Sequence, residues 1–141
     1  NLTAENEKHQ QIFHLLDETL EHLNNGQSKL LLAYFEINFL ELSGFKPELF
    51  KCLSCGKNIV SKGNFFSFSE GGLVCDKCQS GDIKISDDAI KVLRLFLKHR
   101  IDTIQKIQTN EKLTLEIEKI TSGYIKHIAQ KEFKSKRFLK V

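Results

Sequence analysis

Cys52, Cys55, Cys75 and Cys78 are the only four cysteines in the chain, and they form two Cys-x-x-Cys pairs with nineteen residues between them. Each pair sets two thiols on one tight turn, and the stretch between is long enough to fold back so that both turns face a single ion. This pattern fits one tetrahedral Zn2+ site better than free core thiols, disulfides or redox chemistry. A disulfide scaffold is short and dense in cysteine, whereas these four are spread over 141 residues, 40% of them hydrophobic. Four thiolates also close the coordination shell. Catalytic zinc keeps a position open for water or substrate, so this ion is expected to be a structural clamp.

The chain has no run of eighteen uncharged apolar residues and no charged-then-apolar leader, so neither a membrane span nor a signal peptide is expected. It begins at Asn1 and contains no methionine, which reads as a piece of a longer protein. Charge is distributed unevenly. Residues 1–50 carry three Lys against eight Asp or Glu, while residues 51–100 and 101–141 are each net +4. Because four thiolates on Zn2+ leave the middle third more negative, the lasting basic excess is C-terminal.

Hydrophobic periodicity predicts a mainly α fold. A first helix capped by Thr3 carries Ile12, Phe13, Leu16, Leu20 and Leu23 on its apolar stripe and ends near Asn24, Asn25 and Gly26. A second helix, from Ser28 to Ser43, is apolar around nearly its whole circumference and must be buried. Gly44 closes it, and Pro47 helps turn the chain toward the first cysteine pair. Between the pairs, Phe65 to Phe68, then Ser69 to Gly72, then Leu73 and Val74 read as strand, turn, strand, with Gly71 and Gly72 admitting positive φ. So few apolar residues flank this hairpin that the metal is expected to supply much of its folding energy.

Ser86 followed by Asp87 and Asp88 is a helix start, with Ile85 and Ile90 placed for a hydrophobic staple. That helix should run to His99 or Arg100, followed by a short helical stretch with Ile101, Ile104 and Ile107. A last helix from about Lys112 carries Leu113, Ile117, Ile120, Tyr124, Ile125 and Ile128. The expected architecture is a single helical domain over residues 1–141, a helical bundle with a four-cysteine zinc-ribbon and β-hairpin loop inserted at about residues 50–81.

Two basic features are candidate binding surfaces. Lys91, Arg94 and Lys98 lie three and four apart and form one stripe on the helix after the cysteines. It suits a phosphate backbone or an acidic peptide, or is an ordinary solvated face. Toward the C-terminus, Lys131, Lys134, Lys136, Arg137 and Lys140 alternate with Phe133 and Phe138. Such interleaving grips single-stranded nucleic acid by charge and stacking, and equally the two Phe can pin the tail to the bundle. Lys57, Lys62 and Lys77 flank the cysteine turns and read first as solvated surface. No phosphate loop, nucleophile elbow or paired-carboxylate arrangement is present, and His9, His14, His22, His99 and His127 make no ligand motif. An enzyme is therefore not expected.

The stretch from Leu31 to Leu49, with Tyr34-Phe-Glu and Ser43-Gly-Phe-Lys-Pro, followed by Cys52-x-x-Cys55-Gly-Lys57 and by Phe66-Ser-Phe-Ser-Glu-Gly-Gly-Leu-Val-Cys75-x-x-Cys78, resembles the C-terminal part of the bacterial RecO family. Tyr124-Ile-Lys-His and Phe133-Lys-Ser-Lys-Arg-Phe-Leu139 resemble that family's end. The resemblance implies a helical, zinc-binding C-terminal domain, with the zinc on Cys52, Cys55, Cys75 and Cys78, in a cytoplasmic recombination mediator for DNA repair. It also implies single-stranded DNA annealing and RecA loading, with RecR and the acidic, Phe-ended tail of single-stranded-DNA-binding protein as partners. The family's N-terminal OB-fold has no counterpart in these residues, so DNA binding by that barrel does not carry over. On this view Leu93 and Phe96, beside Lys91, Arg94 and Lys98, are the expected pocket for the acidic tail. The alternative is a zinc-ribbon module that contacts DNA directly.

Overall fold

The computed structural model of the chain describes residues 2–23, 28–60, 62–98 and 100–139, the last three without their side chains. At its centre is α2 (Ser28–Leu42), as its all-round apolar composition requires. Around it pack α1 (Leu2–His22), α3 (Asp87–Lys98), the single-turn α4 (Ile101–Ile104) and α5 (Glu111–Leu139). Leu30, Leu31, Ala33, Tyr34, Ile37 and Leu40 of α2 are buried in one core with Leu93, Phe96, Ile104, Ile117 and Ile120. One hydrogen bond and one ring contact tie it to α3, and a second bond from the same amide stays within α2. Asn38 Nδ2 donates to the carbonyls of Tyr34 and Phe96, both at 2.9 Å, and the Tyr34 and Phe96 rings meet edge to face at 5.8 Å.

α2 stops as its sequence directs. Gly44 takes φ +91°, its N–H bonds the Glu41 carbonyl at 3.1 Å, and the Phe45 N–H reaches back to Leu40 at 2.7 Å. That pair of bonds is a Schellman cap, which only a residue tolerant of positive φ closes without strain. α3 also starts as expected, with Ser86 Oγ accepting from the Ala89 N–H at 3.1 Å and Asp87 and Asp88 in the first turn. Glu116 of α5 accepts from both the backbone N–H and the hydroxyl of Ser86 at 2.7 Å, which ties that cap to the last helix.

The hairpin joins β1 (Phe65–Ser67) to β2 (Gly72–Val74), in the register Phe65 to Val74, Phe66 to Leu73 and Ser67 to Gly72. A third strand, β3 (Ile83–Lys84), pairs on the other side of β1, so the sheet order is β2-β1-β3. Phe66, Leu73 and Val74 are fully buried. Phe66 packs on Tyr124 of α5 at 5.6 Å, and the Tyr124 hydroxyl donates to the Phe45 carbonyl at 3.0 Å. The hairpin is thus seated against the helical core, which supplies apolar support beyond that of its own flanks.

Several expectations need correction. Thr3 lies within the first turn of α1 rather than capping it, and the expected helix end at Asn24, Asn25 and Gly26 falls outside the described residues. The face of α1 that enters the core carries Leu15 and Thr19, while Phe13, Leu16 and Leu20 are exposed. Gly72 is a strand residue without positive φ; only Gly71 supplies that, at +79°. Ile107 follows α4 instead of belonging to it. α5 continues unbroken to Leu139, so the basic C-terminal stretch is helix, about 43 Å long with the rest of α5.

Candidate metal centre and basic surfaces

The first knuckle is a turn closed by the Gly56 N–H on the Cys52 carbonyl at 2.9 Å, and the second by the Cys78 N–H on the Cys75 carbonyl at 3.2 Å. β1 and β2 carry the second knuckle alongside the first. The Leu53 N–H bonds the Leu73 carbonyl at 2.9 Å, and Glu48 and Gly72 form a parallel bridge just before it. All four sulfurs consequently lie within 4.8 Å of one another. Cys52 is buried, Cys75 and Cys78 are half-buried and Cys55 is exposed.

The spacing tests which ion this cluster fits. A tetrahedron with Zn–S bonds of about 2.3 Å has edges of about 3.8 Å. The observed separations are 3.8 Å for Cys52 to Cys78, 3.8 Å for Cys55 to Cys75 and 3.6 Å for Cys75 to Cys78. The four cysteines can therefore hold a metal ion, and their geometry and soft donor set fit zinc. Among the described residues no other group of three or more His, Cys, Asp or Glu is placed to do so.

Thiol ionisation is split across the cluster. Burial works to raise the Cys52 thiol, but backbone N–H groups of Cys55 and Cys75 donate to its sulfur at 3.5 and 3.3 Å, and the balance holds it at about 6. The Cys78 thiol is pushed up to about 12, first by its hydrogen bond to the Cys75 sulfur and then by burial. A divalent cation held by these four cysteines would supply the charge that lets all of them ionise together.

The basic stripe on α3 is real but uneven. Lys91 and Lys98 are exposed, whereas Arg94 is half-buried, donates from Nε to the Leu49 carbonyl at 2.8 Å and lies 4.6 Å over the Phe50 ring. Arg94 thus fastens the approach to the first knuckle onto α3. Leu93 and Phe96 are core residues and cannot line a surface pocket. The apolar surface beside the stripe comes instead from the half-buried Ile59 and the exposed Val60, which with the buried Ile90 and Asn64 and with Asp87, Lys91 and Arg94 line a cavity of about 160 Å³. Sequence reasoning missed Val60 and Phe50, both exposed; the signal was two large apolar residues bordering a cysteine knuckle that buries neither.

At the other end, Lys131, Lys134 and Lys136 are exposed, and so is Phe133, which therefore does not pin the helix to the bundle. Lys131 and Lys134 share a face of α5, with Lys136 turned away from it. The side chains of Arg137 and Phe138, and Lys140, lie outside the described residues. Lys57, Lys62 and Lys77 are exposed around the knuckles. Among the described residues no helix is long and apolar enough to cross a membrane.

The family model described as "Recombination protein O C terminal" matches residues 1–137. Similar curated proteins carry the name DNA repair protein RecO. One from Dehalococcoides mccartyi is 39% identical over 127 residues, covering 88% of this chain and 50% of that protein. Another, from Alkaliphilus metalliredigens, is 33% identical over 141 residues, covering 96% and 57%, and one from Desulforamulus reducens is 29% identical over 139 residues, covering 96% and 54%. The chain spans about half the length of the curated relatives it matches. No solved structure matches it.

Proposed function

The chain belongs to the RecO family, matching its C-terminal part, and from that premise we propose that it serves DNA repair as the helical protein-interaction domain of a recombination mediator in a bacterial cytoplasm. In this reading Cys52, Cys55, Cys75 and Cys78 hold a structural Zn2+. The ion performs no reaction, because four thiolates leave no open position. Its role is to clamp the segments at Leu53 and Leu73 together beside α3. The domain then supports single-stranded DNA annealing and RecA loading together with RecR and single-stranded-DNA-binding protein.

The observation that supports an acidic-tail partner is the cavity between the zinc loop and α3. Ile59 and Val60 offer an apolar wall over the buried Ile90, Lys91 stands exposed at the edge with Lys98 farther along the same helix face, and Asp87 on the opposite rim is the one carboxylate an acidic ligand would have to avoid. An acidic peptide ending in Phe needs that combination, an apolar socket with cations at the rim. Titration with such a peptide tests it: Lys91→Glu with Lys98→Glu should weaken binding at least tenfold, and unchanged affinity sinks the assignment. Arg94 is left intact because its bond to Leu49 is structural.

The exposed Phe133 between Lys131 and Lys134 favours a second reading, direct contact of α5 with single-stranded DNA. Salt separates the two. Binding through several phosphates weakens steeply between 50 and 200 mM salt, while a peptide seated on apolar side chains weakens less. A domain without zinc that binds DNA tightly by itself would overturn the leading reading.

A further inference from the structure

α1 has two apolar faces and the described fold uses one. Leu15 and Thr19 are buried against the core, with Ile12 and Leu23 half-buried beside them. A second row, Phe13, Leu16 and Leu20, is 67%, 37% and 53% exposed, and Leu2, 79% exposed, lies on the same line beyond the polar Asn6 and His9. Eleven residues advance an α-helix by just over three whole turns, so Leu2 falls in line with Phe13, and the unbroken part of the row, Phe13 to Leu20, extends about 10 Å. Asp17 and Glu21, both exposed, stand next to it, and α1 as a whole carries five acids against the single Lys8. A water-facing helix with one solvated side shows charged residues there, and three large apolar side chains in a row over two turns in that place mark an interface.

We propose that this row is the docking surface for the other half of the full-length protein, the part that lies ahead of the stretch matched in the relatives. Those relatives are about twice the matched length, and the match is to the C-terminal portion. α1 is the first element of that portion, so its apolar row lies where the polypeptide from the preceding half arrives. Tethering through the chain gives the two halves a high effective concentration, at which a row of three or four side chains is enough to close the contact. A symmetric pairing of α1 with α1 from a second copy is disfavoured, because it would bring the acidic flanks together. The element that docks should accordingly present an apolar row edged by Lys or Arg. The inference rests on family membership and not on the peptide-binding reading.

The experiment compares the 141-residue chain with a fusion in which the half of the Dehalococcoides mccartyi relative that precedes its matched stretch is joined to Asn1. Hydrogen exchange along residues 9–21 is the readout, with sedimentation velocity on both proteins. The fusion should slow exchange in α1 at least tenfold, and Phe13→Ser with Leu20→Ser should restore the fast rate in the fusion while changing the isolated chain little. Those mild substitutions lie outside the core, so loss of fold does not imitate the result; exchange in α5 checks that. Equal α1 exchange in the two proteins overturns the proposal. So does an isolated chain that sediments as a dimer and becomes monomeric on Phe13→Ser with Leu20→Ser, since a second copy would then be the occupant.

Discussion

Removing the metal should melt the two knuckles and leave the hairpin between them standing. The two regions differ in burial. In the knuckles, residues 53–58 and 76, 77, 79 and 80 are all exposed, and Cys52 is the one fully buried side chain. Little but the ion orders these turns, and metal-coupled folding energies are on the order of 10 kcal/mol. The hairpin is held differently. Phe66, Leu73 and Val74 are fully buried, and at about 1.5–3 kcal/mol for each buried apolar side chain they contribute roughly 5–9 kcal/mol between them. The Tyr124 ring on Phe66 and the bonds from the Glu48 and Leu73 backbones add to that. Exchange of backbone amides, followed by mass spectrometry before and after chelation, reads both regions at once. Residues 52–58 and 75–80 should gain at least a hundredfold in exchange rate, and residues 65–67 and 72–74 less than tenfold. Cys75→Ser should reproduce the pattern without chelator. If the strands lose protection together with the knuckles, the metal and not the core holds the hairpin, and the reasoning fails.

Gly72→Ala should cost about 1–3 kcal/mol in urea unfolding, since a Cβ there would lie 2.5 Å from the Glu48 carbonyl oxygen and 2.8 Å from its nitrogen; a cost below 0.5 kcal/mol would mean the bridge gives way freely. Glu36→Gln should stabilise the chain near neutral pH by on the order of 1 kcal/mol. Burial raises the Glu36 carboxyl above 4.5, the hydroxyl of Thr121 pulls it part of the way back, and the neighbouring Glu118 carboxylate raises it further. The sign follows from proton linkage: the folded state binds this proton more tightly than the unfolded one, so stability is full below about pH 4.5 and declines as pH rises through the folded value. The gain from Gln should therefore vanish in acid, and a gain that stays constant with pH would show that charge is not its cause.

What the sequence revealed and what it hid divide along a physical line. Signals confined to a few consecutive residues were legible: the Cys-x-x-Cys turns, the Ser86 cap, the Gly44 stop and the two strands around Gly71. Each of these is a local chemical necessity, whether two thiols on one turn, a hydroxyl over free N–H groups, or a φ that only glycine takes cheaply. Contacts set by distant partners were not legible. The two-residue β3 has no period to read, and it exists because Asp82 accepts the Phe68 N–H at 2.7 Å and the chain then runs back along β1. Arg94 looked like one of three equivalent cations on a stripe, yet the Leu49 carbonyl, forty-five residues earlier, takes it out of that set.

The helices show the limit of periodicity most clearly. A spacing of three and four identifies an apolar row but not what the row faces, and a helix with two such rows leaves the choice to its neighbours. In α3 the row of Leu93 and Phe96 looked available to a ligand because it adjoined the cations in sequence, but Leu93 stands two positions after Lys91 and Phe96 two after Arg94, and two residues turn an α-helix by about 200°, onto the opposite face. Lys91, Arg94 and Lys98 stay on the outer side, Leu93 and Phe96 go inward to the core at α2, and the apolar partner for the cations has to come from another element, here Ile59 and Val60 of the zinc loop. In the proposed reading an ion on the four cysteines would bear on binding at one remove, by holding in place the segment that supplies the apolar side of the α3 surface. A chelated protein that keeps its hairpin should then lose affinity for an acidic, Phe-ended peptide even though every lysine remains, and retained affinity would disconnect the zinc loop from that surface.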